Sequence, residues 1–392
     1  MLYALMFLMS SAGASQPGTK GETRWGKDGG TGLAFYSKYV LKGNYIVGSC
    51  GLRFTGSGTI NISGLPSSPE IVKAYLIYSV RANSPQPQGN VNGIPISGSL
   101  VGTGPTPCWT ESYIYTYVAD VTPIVQAVGN GTYTLTGFYN PSGYPAPGGA
   151  EGATMVVIFC DRGSTVRTMV VYAGAYTLDF AGGPSSYSWN ITNFTATNPV
   201  TSARTTLLFA DGQDYWYESY MGVPCGLEYV YFNGNLIRSG QYGLPGGDGN
   251  LWDAVHIANA AGYIPGGASS ASGQLSVDYD PTYGDCITTV GHILSVSTTE
   301  AETYNCVLSA DEGVATDGLG LRVAGGRIVL SFPFPTAGSL RLYSSDGRLL
   351  GVLAEGRLSS CKLPVPSLEP GVYFLRLSTE AGEVVAKLVV RG

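Results

Sequence analysis

Charge is scarce in this 392-residue sequence. Asp, Glu, Lys and Arg make up 12% of it, about half of the roughly 25% usual in globular domains. The formal net charge is −6, and no basic cluster is interleaved with aromatics. Nucleic acid and anionic membranes are therefore not expected partners. Histidine is scarcer still: only His256 and His292 are present, which leaves little material for acid–base or zinc chemistry. The seven cysteines (50, 108, 160, 225, 286, 306 and 361) include no C-x-x-C pair, excluding the common zinc and thioredoxin-type signatures. No stretch approaches the ~18 uninterrupted apolar residues of a spanning helix. A G-x-S-x-G elbow, a P-loop and a G-x-G-x-x-G after a strand are also missing.

Turn formers and β-formers take the vacant share. Gly (56) and Pro (23) punctuate the chain, and Tyr (27) outnumbers Lys and Arg together (21). Many turns with β-branched and aromatic runs between them predict an all-β protein. The length allows two or three domains.

The first residues, Met1 to Met9, form a short apolar run followed by Ala12-Gly13-Ala14. This has the length and small-residue ending of a secretory signal, without a basic n-region. An uncleaved apolar tail inserting as a strand into a neighbouring subunit is the other reading. Residues 16 to 32 are a glycine-rich lead-in.

After it, one order of features occurs twice. The first pass runs Thr59-Ile-Asn-Ile, Ile71 to Val80, Asn90-Val-Asn-Gly93, Tyr115 to Asp120, Gly131-Thr-Tyr-Thr-Leu and Gly152 to Phe159. The second runs Trp189-Asn-Ile-Thr, Ala203 to Phe209, Val230 to Gly234, Leu251-Trp-Asp253, Gly273 to Val277 and Thr288 to Val296. Two β-sandwich units of one kind, with divergence kept to the loops, would produce this order. Asn92-Gly93 and Asn233-Gly234 are hairpin signals, because both residues tolerate positive φ. Between strands, Asp120-Val-Thr-Pro123 starts a short helical turn that Gly129 ends. Residues ~55–300 as a whole resemble the tandem β-sandwich modules of uncharacterised bacterial and archaeal surface proteins.

Residues 301–318 are polar and read as a linker. Strands resume at Leu319, and from Gly338 onward Leu340 and Leu342 alternate with Arg341 and Tyr343. Asp346-Gly347, Pro370-Gly371 and Ala381-Gly382 separate the following runs. A strand, Asp-Gly-Arg, a strand, Leu368-Glu-Pro-Gly-Val-Tyr-Phe-Leu-Arg-Leu and a terminal apolar strand resemble the C-terminal sorting domain of type IX secretion substrates. The opening Phe332-Pro-Phe-Pro departs from that family's Pro-Asn-Pro-like start. The resemblance implies a small Ig-like sandwich, an extracellular or cell-surface location, and secretion machinery as a partner.

The predicted organisation is therefore 1–15 signal peptide or apolar tail, 16–180 and 181–300 two jelly-roll-like sandwiches, 301–318 linker, and 319–392 sorting-like sandwich. In a secreted chain some cysteines pair. Cys225 with Cys286 is the preferred bridge, since both lie in the second unit, while Cys160, ending an apolar run, reads as a buried thiol.

Candidate site residues are mostly acidic. Asp211, Asp214, Asp248, Asp253, Asp278, Asp280 and Asp285 sit in glycine-containing loops, the setting of oxygen-ligated Ca²⁺. None matches the EF-hand loop, and Asp-Gly pairs are also plain turns; calcium is the one cofactor entertained. Paired carboxylates, Asp211, Asp214, Asp253 or Asp280 among them, could also serve a glycoside hydrolase, a less favoured reading than calcium. Tyr215-Trp216-Tyr217 with Tyr220 is the densest aromatic patch, able to stack on sugars, although strand alternation assigns part of it to a core. Asn61, Asn130, Asn190 and Asn193 open N-x-[ST] sequons. His292, inside Val290 to Val296, reads as a half-buried strand residue. The balance favours a non-enzymatic structural or adhesive surface protein, self-associating into fibres, over a glycan-binding module and then a hydrolase.

Overall fold

The computed structural model describes residues 29–390 apart from 67–68, 110, 112, 142–147, 162, 180–184, 213–226, 242–243, 250, 279–285, 305, 307–319, 325–326, 332–334, 345–346, 370 and 381. These residues are nearly all strand, arranged in antiparallel sheets as an all-β, sandwich-type fold. The first half holds β1 (Gly32–Gly51), β2 (Gly58–Ile62), β3 (Glu70–Ala82), β4 (Gln88–Val91), β5 (Ile94–Ser97) and β6 (Ser99–Pro105). It continues with β7 (Tyr113–Asp120), α1 (Thr122–Val128), β8 (Gly131–Thr136) and β9 (Gly149–Cys160). The second half holds β10 (Val166–Asp179), β11 (Ser186–Ile191), β12 (Ala203–Ala210), β13 (Leu227–Phe232) and β14 (Asn235–Gln241). Its last strands are β15 (Trp252–Ile257), β16 (Ala271–Val277) and β17 (Cys286–Ser297).

One nine-stranded sheet, ordered β15-β12-β17-β10-β1-β9-β3-β7-β6, runs through both halves. Strand β1 is where they meet. Its residues 43–51 pair with β9 and its residues 32–42 pair with β10. On either side of that junction the connectivity is the same. The order β1-β9-β3-β7 matches β10-β17-β12-β15, and the small sheet β2-β8-β4-β5 matches β11-β16-β13-β14. Strand β10 precedes residue 181, yet it holds in the second half the place of β1 in the first. The hairpin β4–β5 turns on Asn92-Gly93, and β13–β14 turns on Asn233-Gly234. All four residues have positive φ, which Asn and Gly accept most readily.

Alternation along the strands builds three cores in succession. Leu76 and Tyr78 of β3 face the first small sheet with Ile60, Val91 and Tyr133. Leu207 and Phe209 of β12 face the second with Trp189, Val230 and Phe232. The residues between them, Tyr75, Ile77, Leu208 and Ala210, join Val156, Ile158, Met169 and Ile293 in a third core where the halves of the large sheet face each other. The layers are thus small sheet, half-sheet, half-sheet, small sheet. With both faces buried, β3 and β9 carry near-continuous apolar stretches (Ala74 to Tyr78, Met155 to Cys160), whereas β12 and β17 bury Thr205, Thr206, Thr288, Thr289 and His292 among their apolar residues. At the middle layer Gly152 of β9 lies against Trp252 of β15. A Cβ there would sit 2.5 Å from the indole, so only glycine admits the ring, whose Nε1 donates to Thr154 Oγ1 at 2.9 Å.

Helix α1 starts where Asp120 Oδ1 accepts the Thr122 N–H at 3.0 Å and ends at Gly129, φ 71°. It is the one α-helix among the described residues, and no helix is long and apolar enough to cross a membrane. The segment read as a linker begins docked: Thr303 N donates to Val40 O at 2.8 Å, and Tyr304 OH donates to Glu70 Oε1 at 3.0 Å.

The C-terminal part comprises β18 (Gly320–Ala324), β19 (Arg327–Ser331), β20 (Thr336–Ser344), β21 (Leu349–Leu358), β22 (Cys361–Pro364), β23 (Gly371–Thr379) and β24 (Gly382–Val390). Sheets β18-β19-β22 and β21-β20-β23-β24 enclose Leu321, Ile328, Leu330, Leu340, Leu342, Leu375 and Leu377. Leu340 and Leu342 point inward, as their alternation with Arg341 and Tyr343 predicts.

The disulfides correct the sequence expectation. Cys286 bonds Cys108, not Cys225, and Cys160 is no free thiol but bonds Cys306. Both bridges join chain segments more than a hundred residues apart, where sequence proximity offers no guide.

Candidate functional site

Buried charge gathers at one end of the middle layer. Arg53 follows β1, Arg81 lies near the end of β3, Glu151 near the start of β9, and Asp211 just after β12. Trp109 and Glu111 come from the β6–β7 loop. Glu151 is the hub. Its Oε2 accepts Arg53 Nε at 2.8 Å and lies 2.6 Å from Arg53 Nη2, while its Oε1 accepts Arg81 Nε. Arg81 Nη1 reaches Glu111 Oε2 at 3.2 Å. Arg53 Nη2 stands 2.7 Å from Asp211 Oδ1, a charge contact without hydrogen-bond alignment. The Trp109 ring has the guanidinium carbons of Arg53 and Arg81 at 4.8 and 4.3 Å from its centroid, and its Nε1 donates to Asp211 Oδ2 at 3.1 Å. Cation–π attraction thus adds to the ion pairs.

Burial alone would lift the Glu151 carboxyl, but Arg53 and Arg81 outweigh it and hold it below the usual carboxylate range. For Asp211 the balance reverses: burial, reinforced by the Glu151 charge, pushes its carboxyl up to about 6 despite Arg53. Two cations thus face three carboxylates, and Asp211 is poised to hold a proton where Glu151 is not.

The same region contains three of the predicted acidic residues. Asp211 N donates to Leu251 O at 2.7 Å. Asp253 accepts the Gly246 and Gly247 N–H groups at 2.8 and 3.0 Å, and Asp248 Oδ2 accepts Ala254 N at 2.6 Å. Their carboxylates hold loops together. Burial pushes Asp253 up to about 6 against those two backbone donors. Asp278 lies apart, accepting the Tyr229 hydroxyl at 3.3 Å. Among the described residues, the one group of three His, Cys, Asp or Glu side chains close enough to hold a metal is Cys108, Asp179 and Cys286, and its two sulfurs are bonded to each other. Asp214, Asp280, Asp285, Cys225 and the aromatic set Tyr215, Trp216, Tyr217 and Tyr220 lie outside the described residues.

Neither histidine joins the charged cluster. His292 is fully buried, more so than its sequence setting suggests. Its Nδ1 accepts from Trp189 Nε1 at 2.8 Å, so the proton is on Nε2, which donates to Thr205 Oγ1 at 2.5 Å; that hydroxyl donates onward to Ile293 O at 3.0 Å. Burial lowers its pKa to about 3. His256 Nδ1 meets Thr206 Oγ1 at 2.8 Å on the opposite face of β12.

A depressed histidine destabilises the fold in acid, because the unfolded chain binds the proton first. Below an unfolded pKa of about 6.5, His292 therefore costs stability, whereas Asp211 and Asp253, with raised values, gain stability on protonation. The two effects oppose each other between pH 7 and 5, so a difference measurement isolates the histidine. His292→Gln is expected to lose about 2 kcal/mol less than the parent over that interval, read from urea midpoints at the two pH values. Equal losses in both proteins would show that the imidazole does not carry this acid sensitivity.

Arg53, Arg81, Glu111, Glu151 and Trp109 were not among the sequence candidates. A signal for two of them exists: Arg81 and Glu151 are charges on otherwise apolar strands of a charge-poor chain, and a buried charge demands an opposite one.

No family model and no curated protein matches the sequence. Solved structures give weak superpositions. A Ruminococcus gnavus beta-glucuronidase aligns at TM-score 0.16 and 11% identity over 53% of this chain and 35% of that one. A Lactobacillus rhamnosus beta-glucuronidase aligns at TM-score 0.15 and 12% identity over 59% of this chain and 37% of that one. The chain spans well under half the length of these enzymes, and likeness at this level carries no argument about fold or activity.

Proposed function

We propose that this is a non-enzymatic secreted or cell-surface protein with a structural or adhesive role, carried outward or anchored by its C-terminal sandwich. One observation supports this reading above others: the buried charges at one end of the middle layer are locked to one another, Glu151 of the first half gripped by Arg53 and Arg81, and Asp211 of the second half held by Arg53 and Trp109 of the first. The bridges Cys108–Cys286 and Cys160–Cys306 suit an oxidising compartment. Rigid stacked layers with covalent ties are what a load-bearing or adhesive surface subunit requires.

Fractionation of the native host with mass spectrometry of the protein tests this. The expected result is protein outside the cell or on its surface, with four cysteines oxidised as paired above and Cys50 and Cys361 as thiols. A fully reduced protein confined to the cytoplasm would overturn the reading.

A further inference from the structure

Far from the charged seam, a cavity of about 120 Å³ opens where β10 and β12 begin and β17 ends, lined among others by Asn44, Arg167, Ser202, Arg204, Asn259 and Ser295. By liquid volume this is space for roughly four waters. The register explains the grouping. Arg204 of β12 pairs with Ser295 of β17, and Arg167 of β10 pairs with Ser297, two residues on along the same strand. Period-2 alternation therefore brings the three lining residues to one face.

The arginines here are held differently from those of the seam. Arg167 Nε donates to Ser202 Oγ at 3.0 Å and its Nη1 to Gly43 O at 3.4 Å. Arg204 Nη1 donates to Tyr45 O at 2.8 Å. Every one of these acceptors is neutral, and neither guanidinium has an ion pair among the described residues. Asp161 is the carboxylate whose field reaches Arg167, and its Oδ1 accepts Gly163 N instead. Burial and then the like charge of Arg204 lower the Arg167 pKa. The pair is thus preoriented by backbone and hydroxyl, mutually repelling, and still furnished with N–H donors that no described residue accepts.

A second, independent feature points the same way. Ser295 is fully buried, yet its hydroxyl has no hydrogen-bond partner among the described residues. Leaving a buried hydroxyl unmatched is costly. Asn44 turns its Oδ1 to Tyr45 N at 3.0 Å, which leaves its amide NH₂ as a further donor.

We propose that this pocket binds a single oxyanion, a carboxylate, sulfate or phosphate group, between Arg167 and Arg204 with the Ser295 hydroxyl as a third donor. Two guanidiniums and a hydroxyl converging in a recess would satisfy the otherwise uncompensated charge and the unmatched Ser295 at once. The anion could be free in solution or a substituent on a larger molecule such as an acidic sugar; the site chemistry is the same. This inference does not rest on the structural role proposed above.

Titration calorimetry of the full chain with sodium sulfate, sodium phosphate and sodium acetate, in chloride buffer of constant ionic strength, tests it. Saturable one-to-one binding of at least one of the three is expected. Arg167→Gln and Arg204→Gln should each weaken it by on the order of tenfold or more, and Ser295→Ala by about fivefold. Ser295→Ala removes no hydrogen bond among the described residues, so it remains informative if an arginine variant folds poorly. Exposed Arg357→Gln in the C-terminal sandwich should change nothing. A uronate or a sulfated monosaccharide binding more tightly than acetate or sulfate would identify the group as a sugar substituent, and equal affinity would identify the free ion; either result keeps the site. Absence of saturable heat with all three anions, or unchanged affinity in the Ser295 and arginine variants alike, would overturn it.

Discussion

Replacing Glu151 with glutamine is expected to destabilise the protein by about 4 kcal/mol, among the largest single-residue losses available in this chain. The reason is the geometry of the hub. Glu151 contacts both Arg53 and Arg81, and all three side chains are buried. An amide keeps the shape and removes the charge, so two buried guanidiniums lose their shared carboxylate and keep Glu111 and Asp211 beside them. Removing one partner of a buried pair is far more damaging than the pair itself is favourable. The exposed pair Lys73–Asp120 provides the scale, with N to O 2.6 Å and side chains 28% and 52% exposed. Lys73→Ala should cost under about 1 kcal/mol. Urea unfolding followed by intrinsic fluorescence compares the two directly, and a Glu151→Gln loss no bigger than that of Lys73→Ala would mean that the seam charges do not act as one unit.

Opening the Cys108–Cys286 bridge is expected to cost about 4 kcal/mol when Cys160–Cys306 stays closed. The two cysteines are 178 residues apart in sequence, but the second bridge provides a shortcut. The covalent loop left for Cys108–Cys286 to close is about 70 residues, which sets that magnitude in the chain-entropy picture. Cys108 precedes Trp109, whose indole lies over both arginines. Loss of the bridge therefore also loosens the loop that carries Trp109 and Glu111. The paired variant Cys108→Ser/Cys286→Ser, in thermal unfolding beside the parent, should show a lowered midpoint, and further loss on adding Glu151→Gln should fall short of the sum of the two. Strict additivity would show that bridge and charge cluster are independent.

Much of the architecture was legible because it is written in local chemistry. Asn92-Gly93 and Asn233-Gly234 announce their turns through residues that tolerate positive φ. Leu340 and Leu342 announce a one-sided strand through alternation. The two passes of features read from the sequence fall on strands with matching places: Thr59 on β2 and Trp189 on β11, Ile71 on β3 and Ala203 on β12, Gly131 on β8 and Gly273 on β16. What was not legible depends on distant pairing. Nothing local in Cys108 or Cys306 names its partner, and the intuition that a bridge stays within one unit chose Cys225 for Cys286. Apolar runs such as Met155 to Phe159 declare burial but not that one face belongs to a sandwich and the other to its neighbour. The charged seam escaped for the same reason, since Arg53, Arg81, Glu151 and Asp211 lie in four separate stretches. The acidic loops drew notice for their carboxylates, but not for the backbone N–H groups that Asp253 and Asp248 accept.

Strand β1 sets a limit on how this molecule can be taken apart. Because its two ends are stitched to different neighbours, neither half is a cassette that can be excised and traded. Cutting the chain after Cys160 would leave residues 32–42 of β1 as a bare ribbon edge, the kind that recruits another copy. Growth or shuffling of such a protein must therefore proceed by whole pairs of sandwiches, with the C-terminal module as the natural place to append or exchange.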